Sequence, residues 1–172
     1  MSVPREPDAS LDQFFASHYD ELRRLAHRRL RQSEKITLLD TTSLVHESYL
    51  RFLKSGRVQA SDHTEFVCLA ARVMRSIIVD FVRARRAGRR GGGERVTLED
   101  QVAGPASPEE EIIRVNDALD ELAKVDGRLV KVVEMRYFGG LEEREIAASL
   151  GVTDRTVRRD WEKARLLLSL VV

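Results

Sequence analysis

The chain of 172 residues has a single cysteine, almost no net charge and no long apolar run, and each absence closes a class of explanation. Cys68 alone excludes an intramolecular disulfide and a cysteine-cluster metal site, which fits a reducing compartment, and its apolar helical surroundings predict a buried thiol. A formal net charge of +1 gives no argument for a nucleic-acid partner, so any such argument must come from how the charge is distributed. The late apolar run Leu166 to Leu168 is far too short to cross a bilayer, and the opening Pro4, Glu6, Pro7 and Asp8 do not form a basic-then-apolar leader. The expected location is the cytoplasm, with no membrane partner. His18, His27, His46 and His63 are scattered, and no glycine-rich phosphate loop, nucleophile motif or metal-ligand spacing accompanies them. The expectation is therefore no catalytic residue, no cofactor and no metal. No internal repeat of twenty or more residues is apparent, and nothing alternates convincingly with the two-residue period of a strand.

What is present is helical amphipathicity. With 42% of residues apolar, the chain is globular and long enough for one medium domain or two small helical ones. From Ser10 to about Arg31, Leu11, Phe14, Phe15, Leu22, Leu25, Ala26 and Leu30 recur at three- and four-residue spacing, predicting an amphipathic helix capped by Ser10. A second helix begins near Asp40, carries Leu44, Val45, Tyr49, Phe52 and Leu53, and stops at Gly56. A third runs from about Thr64 through Val82. It is apolar over much of its circumference, which predicts a central place in a bundle.

Composition then changes abruptly. Arg83, Arg85, Arg86, Arg89 and Arg90 are followed by Gly91, Gly92 and Gly93 and an acidic, proline-containing stretch, so 91–107 reads as a flexible linker. Ser107 followed by Pro108, Glu109 and Glu110 is a helix start, because proline suits the first helical position and carboxylates favour the positive end of the helix dipole. Ile112, Ile113, Val115, Leu119 and Leu122 give that helix its apolar face. A shorter helix is predicted from about Arg128 to Tyr137, closed by Gly139 and Gly140.

Glu142 to Arg159 reads as a helix-turn-helix. Ile146, Ala147 and Leu150 form the inner face of the first helix, Gly151 supplies the positive-φ residue of the turn, and Thr153 caps the second helix. Val157, Trp161, Ala164 and Leu168 share one face of that second helix. Thr153, Asp154, Arg155, Thr156, Arg158 and Arg159 are then the residues offered to a major groove. The bland alternative is a helical hairpin whose arginines serve solubility. A second basic signal is the cluster on and just beyond the third helix, Arg72 and Arg75 through Arg90, for which a phosphate backbone is the natural partner.

Together these segments resemble the extracytoplasmic-function (ECF) group of bacterial RNA polymerase sigma factors, over nearly the whole chain. The stretch Leu44, Val45, His46, Glu47, Ser48, Tyr49, Leu50, Arg51 is similar to the family's clamp-docking stretch, and Arg72 to Arg83 resembles its minus-ten helix. The resemblance implies an all-α chain with a sigma-two domain at 10–90, a linker at 91–107 and a sigma-four domain at 108–172. It implies clamp docking by Asp40, Leu44, Val45, Glu47 and Tyr49, and minus-ten contacts by Arg72, Arg75, Ser76, Asp80, Arg83, Arg85 and Arg86. It also implies minus-thirty-five reading and a flap contact by the helix-turn-helix. The implied partners are the clamp helices and flap of core RNA polymerase together with promoter DNA, with a monomer as the free form. Leu69 stands where many relatives carry tryptophan and Ser76 where they often carry asparagine.

One departure suggests regulation. Where relatives commonly show an Asp-Ala-Glu-Asp run, this chain has Asp40, Thr41, Thr42 and Ser43, so two acidic positions have become hydroxyls. Phosphate on Thr41, Thr42 or Ser43 restores anions there, implying a Ser/Thr protein kinase as a partner, in the manner of a kinase-controlled branch of the family. Ordinary capping of the second helix is the competing account of the hydroxyls. The competing account of the whole chain is a polymerase-independent helix-turn-helix regulator with an N-terminal signal-receiving domain.

Overall fold

The computed structural model describes residues 9–32, 39–55, 62–91 and 107–170. Its elements are α1 (Ala9–Gln32), α2 (Thr41–Ser55), α3 (His63–Gly91), α4 (Pro108–Val125), α5 (Gly127–Val133) continued by a π-helical turn (Glu134–Phe138), α6 (Glu143–Leu150) and α7 (Asp154–Ser169). The described residues contain no strand, and the chain is all-α. Among them no helix is long and apolar enough to cross a membrane, and no group of metal-ligating side chains comes together.

Local chemistry sets most helix starts. The Asp40 carboxylate accepts from Ser43 N at 2.9 Å and opens α2, while Asp62 accepts from Glu65 N at 2.7 Å and opens α3. Ser107 accepts from Glu110 N at 3.2 Å as the Glu110 carboxylate reaches back to Ser107 N at 3.1 Å, a reciprocal capping box at the start of α4. Asp126 caps α5 through Arg128 N at 3.1 Å. The described part of α1 includes Ala9 and Ser10, and the start of the helix, with the capping role expected of Ser10, lies outside the described residues.

In α1, Phe15, Leu22, Leu25, Ala26 and Leu30 are buried, and in α2 Leu44, Val45 and Phe52 face them. Phe14 and Phe66 meet edge to face at 4.7 Å, tying α1 to α3. Buried residues of α3 lie on nearly every side, from Phe66 and Val67 to Val79 and Val82. The physical reason is that α3 packs against α1 and α2 on one flank and against α4, the π-helical turn and α6 on the other. The apolar core is therefore continuous from Phe15 to Ala164. The helix also extends through Gly91, so the arginines read as lying partly beyond it are helical up to that point. In α4 the buried positions are Asn116, Ala118, Leu119 and Leu122, while Ile112, Ile113 and Val115 are only partly covered.

The predicted helix from Arg128 to Tyr137 is really two geometries. After Val133 the chain widens, and Gly139 N bonds to Glu134 O at 2.7 Å and Leu141 N to Met135 O at 3.0 Å. Gly140 then turns the chain with φ of 70°, as the glycine pair predicted.

Candidate nucleic-acid interface

The helix-turn-helix is built as its residues dictate. Gly151 adopts φ 65° and ψ 34°, Val152 N bonds back to Ala147 O at 3.0 Å, and Thr153 caps α7 by accepting from Thr156 N at 3.2 Å. Ile146, Ala147, Val157 and Ala164 are buried between α6 and α7, while Trp161 and Leu168 are half-buried. This leaves Arg155, Arg158 and Arg159 exposed on the first two turns of α7, beside Asp154 and Thr156. Arg158 Nε lies 2.9 Å from Glu143, which also binds Arg136 at 2.7 Å, and the Arg136 guanidinium sits 5.0 Å from the Trp161 ring centre. One functional support escaped the sequence reading. Asp160 is buried on the inner face and accepts from Arg128 Nε at 2.7 Å and Nη2 at 3.4 Å, locking α7 onto α5. Its spacing of three residues from Val157 was the available signal.

The α3 candidates separate into two groups. Ser76 and Asp80 are gathered by Arg51 of α2, which donates to Ser76 Oγ at 3.0 Å and to Asp80 Oδ2 at 2.8 Å and lies 3.6 Å from Glu47. Arg72 is exposed beside them. The remaining arginines face the C-terminal helices. Arg83 reaches Asp117 at 2.8 Å, Arg86 reaches Glu110 at 3.2 Å, and Arg85 lies 3.8 Å from Glu109, which Arg89 also binds. The Arg83–Asp117 pair is well exposed and contributes roughly 0.2–1 kcal/mol, whereas the Glu109 side chain is mostly covered.

Arg75 is different, because it is buried. It donates to Asn116 and, at 3.1 Å, to Glu134, and it lies 3.9 Å from Asp120. Burial pushes the Glu134 carboxyl above the usual glutamate range, an effect that Arg75 and Arg72 oppose. Arg29 stacks on Phe138 at 3.9 Å, and burial lowers its pKa to about 9. Arg28 donates to Gly139 O at 3.1 Å. Beside this network a crevice of about 170 Å³ is lined by Arg29, Arg75, Ile78, Asn116, Tyr137 and Phe138 among others, and Arg75 Nε finds no hydrogen-bond partner. A buried donor left this way costs about 1–3 kcal/mol. Around Arg75 the seam between the two halves is thus polar and incompletely packed, while the apolar core runs on through both halves beside it. Arg29, Asn116 and Glu134 were all missed from sequence, although each interrupts an apolar stripe.

The docking candidates on α2 also divide. Leu44 and Val45 are buried in the core, and Glu47 is half-buried against Arg51. Tyr49 is half-buried, packs edge to face on Phe15 at 5.0 Å and donates to Asp12, which raises its pKa above the ordinary tyrosine value. An apolar cleft of about 500 Å³ opens here, lined by Phe15, Ala16, Tyr19, Thr42, Val45, His46 and Tyr49. The α1 residues of this cleft were not foreseen. The three hydroxyls occupy distinct settings. Ser43 Oγ donates to Asp40 at 2.8 Å, which with the Ser43 backbone bond holds the Asp40 carboxylate below its ordinary pKa. Thr42 lines the apolar cleft. Thr41 lines a second cleft, of about 820 Å³, together with Asp20, Arg23, Arg24, His27, Arg28 and Arg31. Cys68 is half-buried rather than fully enclosed, 3.9 Å from Glu134, and burial pushes its thiol up to about 12.

Compared with known families, the chain matches the model described as ECF sigma factor over residues 4–170. No curated protein and no solved structure matches it.

Proposed function

Because the chain belongs to the ECF sigma factor family, serving transcription initiation as an alternative sigma factor with core RNA polymerase and promoter DNA as its partners, we propose a specific division of labour. Residues 10–90 form the domain that docks on the polymerase clamp and captures the minus-ten element, 91–107 form the linker, and 108–172 form the domain that reads the minus-thirty-five element. The observation that carries this reading is the single family match spanning both halves of the chain. The exposed first turns of α7 support Arg155, Arg158 and Arg159, with Thr153, Asp154 and Thr156, as the contacts to duplex DNA. The basic α3 supports Arg72, Arg75, Ser76, Asp80, Arg83, Arg85 and Arg86 as the minus-ten set. The apolar cleft around Val45 and Tyr49, with Asp40 and Glu47 on the same helix and Leu44 holding that helix in the core, is the clamp-docking surface. The reaction itself belongs to the polymerase, and the free protein is a monomer.

Activation proceeds through a Ser/Thr protein kinase acting on the α2 start. Ser43 is committed to Asp40, which favours Thr41 and Thr42 as acceptors. A phosphate there adds about two negative charges at the positive end of a helix, where the dipole stabilises them. Thr41 also faces the arginines of α1, a setting suited to an added anion. The test compares unmodified protein, kinase-treated protein and Thr41→Glu/Thr42→Glu for binding to core polymerase and for promoter-selective transcription. Binding by the anionic forms alone supports the gate. Equal binding by unmodified protein and by Thr41→Ala/Thr42→Ala discards the gate and keeps the sigma assignment.

A further inference from the structure

The crevice beside Arg75 brings together the two kinds of surface that hold a small organic acid. Part of its wall is cationic. Arg29 and Arg75 both line it and both are buried, and the Phe138 ring lies 3.9 Å from the first guanidinium and 6.0 Å from the second. Among the described residues, the buried charges at this point are these two guanidiniums and the Glu134 carboxylate. Two further carboxylates, Glu111 on the crevice wall and Asp120 at 3.9 Å from Arg75, are exposed to water. Of the Arg75 donors, Nη1 is taken by Asn116 and Nη2 by Glu134, while Nε has no hydrogen-bond partner among the described residues. A donor buried in that state calls for an acceptor. The rest of the wall is apolar, formed by Ile78 and Val79 of α3, Ile112 and Val115 of α4 and the Phe138 ring. The volume, about 170 Å³, is near that of the apolar cavities of roughly 150 Å³ that take up benzene, and short of the roughly 300 Å³ at which pockets for drug-sized ligands begin. We propose that this crevice is a ligand site for a small monocarboxylate whose apolar body is a single ring or a short branched chain. The carboxylate accepts from Arg75 Nε beside Arg29, and the apolar body lies against Ile78, Val79, Ile112 and Val115.

The wall selects among ligands. A hydrogen bond from a guanidinium to a carboxylate is about twice as strong as one between neutral groups, and burial of Arg75 strengthens it further. An inorganic anion leaves the apolar wall uncovered. A neutral aromatic covers that wall but leaves the buried positive charge without its counter-ion. A ligand of higher negative charge meets Glu134 and Glu111, which repel the second charge. Because α1, α3, α4 and the π-helical turn each contribute to the wall, through Arg29, Ile78, Ile112 and Phe138, an occupant adds its binding energy to the stability of their packing. The chain thereby reads the concentration of a metabolite through elements other than α2, which carries the hydroxyls at its start. The site does not depend on the sigma reading, and its test reads binding alone.

The test titrates the full chain with benzoate and with isovalerate, with benzamide as the neutral isostere and chloride at equal ionic strength as the control. Calorimetry gives the affinity, and the Arg75 Nε–H resonance of isotope-labelled protein gives the place. The expected result is saturable binding of at least one acid with a Kd on the order of 0.1–1 mM, and binding of benzamide about tenfold weaker or less. The Arg75 resonance should shift with the same saturation. Val115→Phe places a ring in the crevice and should weaken binding about tenfold. Failure of both acids to bind by about 10 mM overturns the site. So does benzamide binding as tightly as benzoate, which would remove the role of the guanidiniums, and so does chloride shifting the Arg75 resonance as far as the acids do. Undiminished binding by a folded Val115→Phe places the ligand elsewhere and also overturns it. Should Val115→Phe lose helicity, the parent protein carries the decision: an Arg75 resonance that saturates with the calorimetric Kd supports the site, and one that does not move during binding refutes it.

Discussion

Replacing Gly151 with alanine isolates the backbone strain of the helix-turn-helix turn. At φ 65° the residue occupies the left-handed region, yet an added Cβ would meet no atom within 4 Å. Sterics with the surroundings therefore contribute nothing, and the left-handed penalty of about 1–2 kcal/mol acts alone. Alanine also restricts the unfolded chain, which returns about 0.4–1 kcal/mol. The net expectation is a loss of about 0.5–1.5 kcal/mol. The chain has one tryptophan, Trp161 on α7, so its fluorescence during urea unfolding reports on these helices directly. The midpoint should fall with an unchanged slope, and Gly151→Asn should fall less than Gly151→Ala because asparagine tolerates the left-handed region. Gly140 is the contrast. It has a similar φ of 70°, but its Cβ would overlap Arg28 Nη1, so Gly140→Ala should cost more. That excess should disappear in an Arg28→Ala background. Gly151→Ala as stable as the parent, or asparagine worse than alanine, would refute the strain argument.

Three further outcomes follow from individual contacts. Asp160→Ala removes the bidentate partner of Arg128, and unfolding followed at Trp161 should show a loss of about 1.5–3 kcal/mol, strongly non-additive with Arg128→Ala. Glu134 has its folded pKa raised above the ordinary value by burial, so between those two values the folded state binds more protons than the unfolded one. Its burial therefore weakens the protein at neutral pH, and the deficit is relieved as pH falls through the raised value. Urea midpoints of the parent measured from neutral pH down toward the ordinary glutamate range should rise relative to Glu134→Gln, and a relative fall would mean that pairing with Arg75 outweighs desolvation. If Arg155 contacts a phosphate, Arg155→Ala should reduce the slope of log affinity for promoter duplex against log salt by about 0.9, whereas a base contact would instead relax sequence preference.

Features encoded by neighbours in sequence were legible without coordinates. Ser107 with Glu110, Gly151 with Thr153, and the apolar spacing of α1 to α3 each involve residues within one or two turns, so periodicity and capping rules suffice. The seam was not legible in that way. It joins Arg29 of α1, Arg75 of α3, Asn116 of α4 and Glu134 of the π-helical turn, contacts that span tens of residues and that no local rule pairs. Arg75 illustrates the difficulty: its place in a basic cluster suggested a phosphate partner, while its place on the inner face of α3 buries it against Glu134. The same inner-face logic applied to Asp160, Asn116 and Glu134 would have marked all three as candidates for buried pairing. The π-helical turn has no signature that distinguishes it from the continuous helix expected over Arg128 to Tyr137.

Sigma function is decided by footprinting and transcription on a promoter-containing DNA library with core polymerase alone, this protein alone and the two together, the protein being used in both unmodified and kinase-treated forms. A sigma factor gives discrete start sites and protection of minus-ten and minus-thirty-five elements only when polymerase and protein are combined. Protection of a duplex operator by the protein alone, with no effect on core polymerase in any form, would contradict it and establish a polymerase-independent regulator.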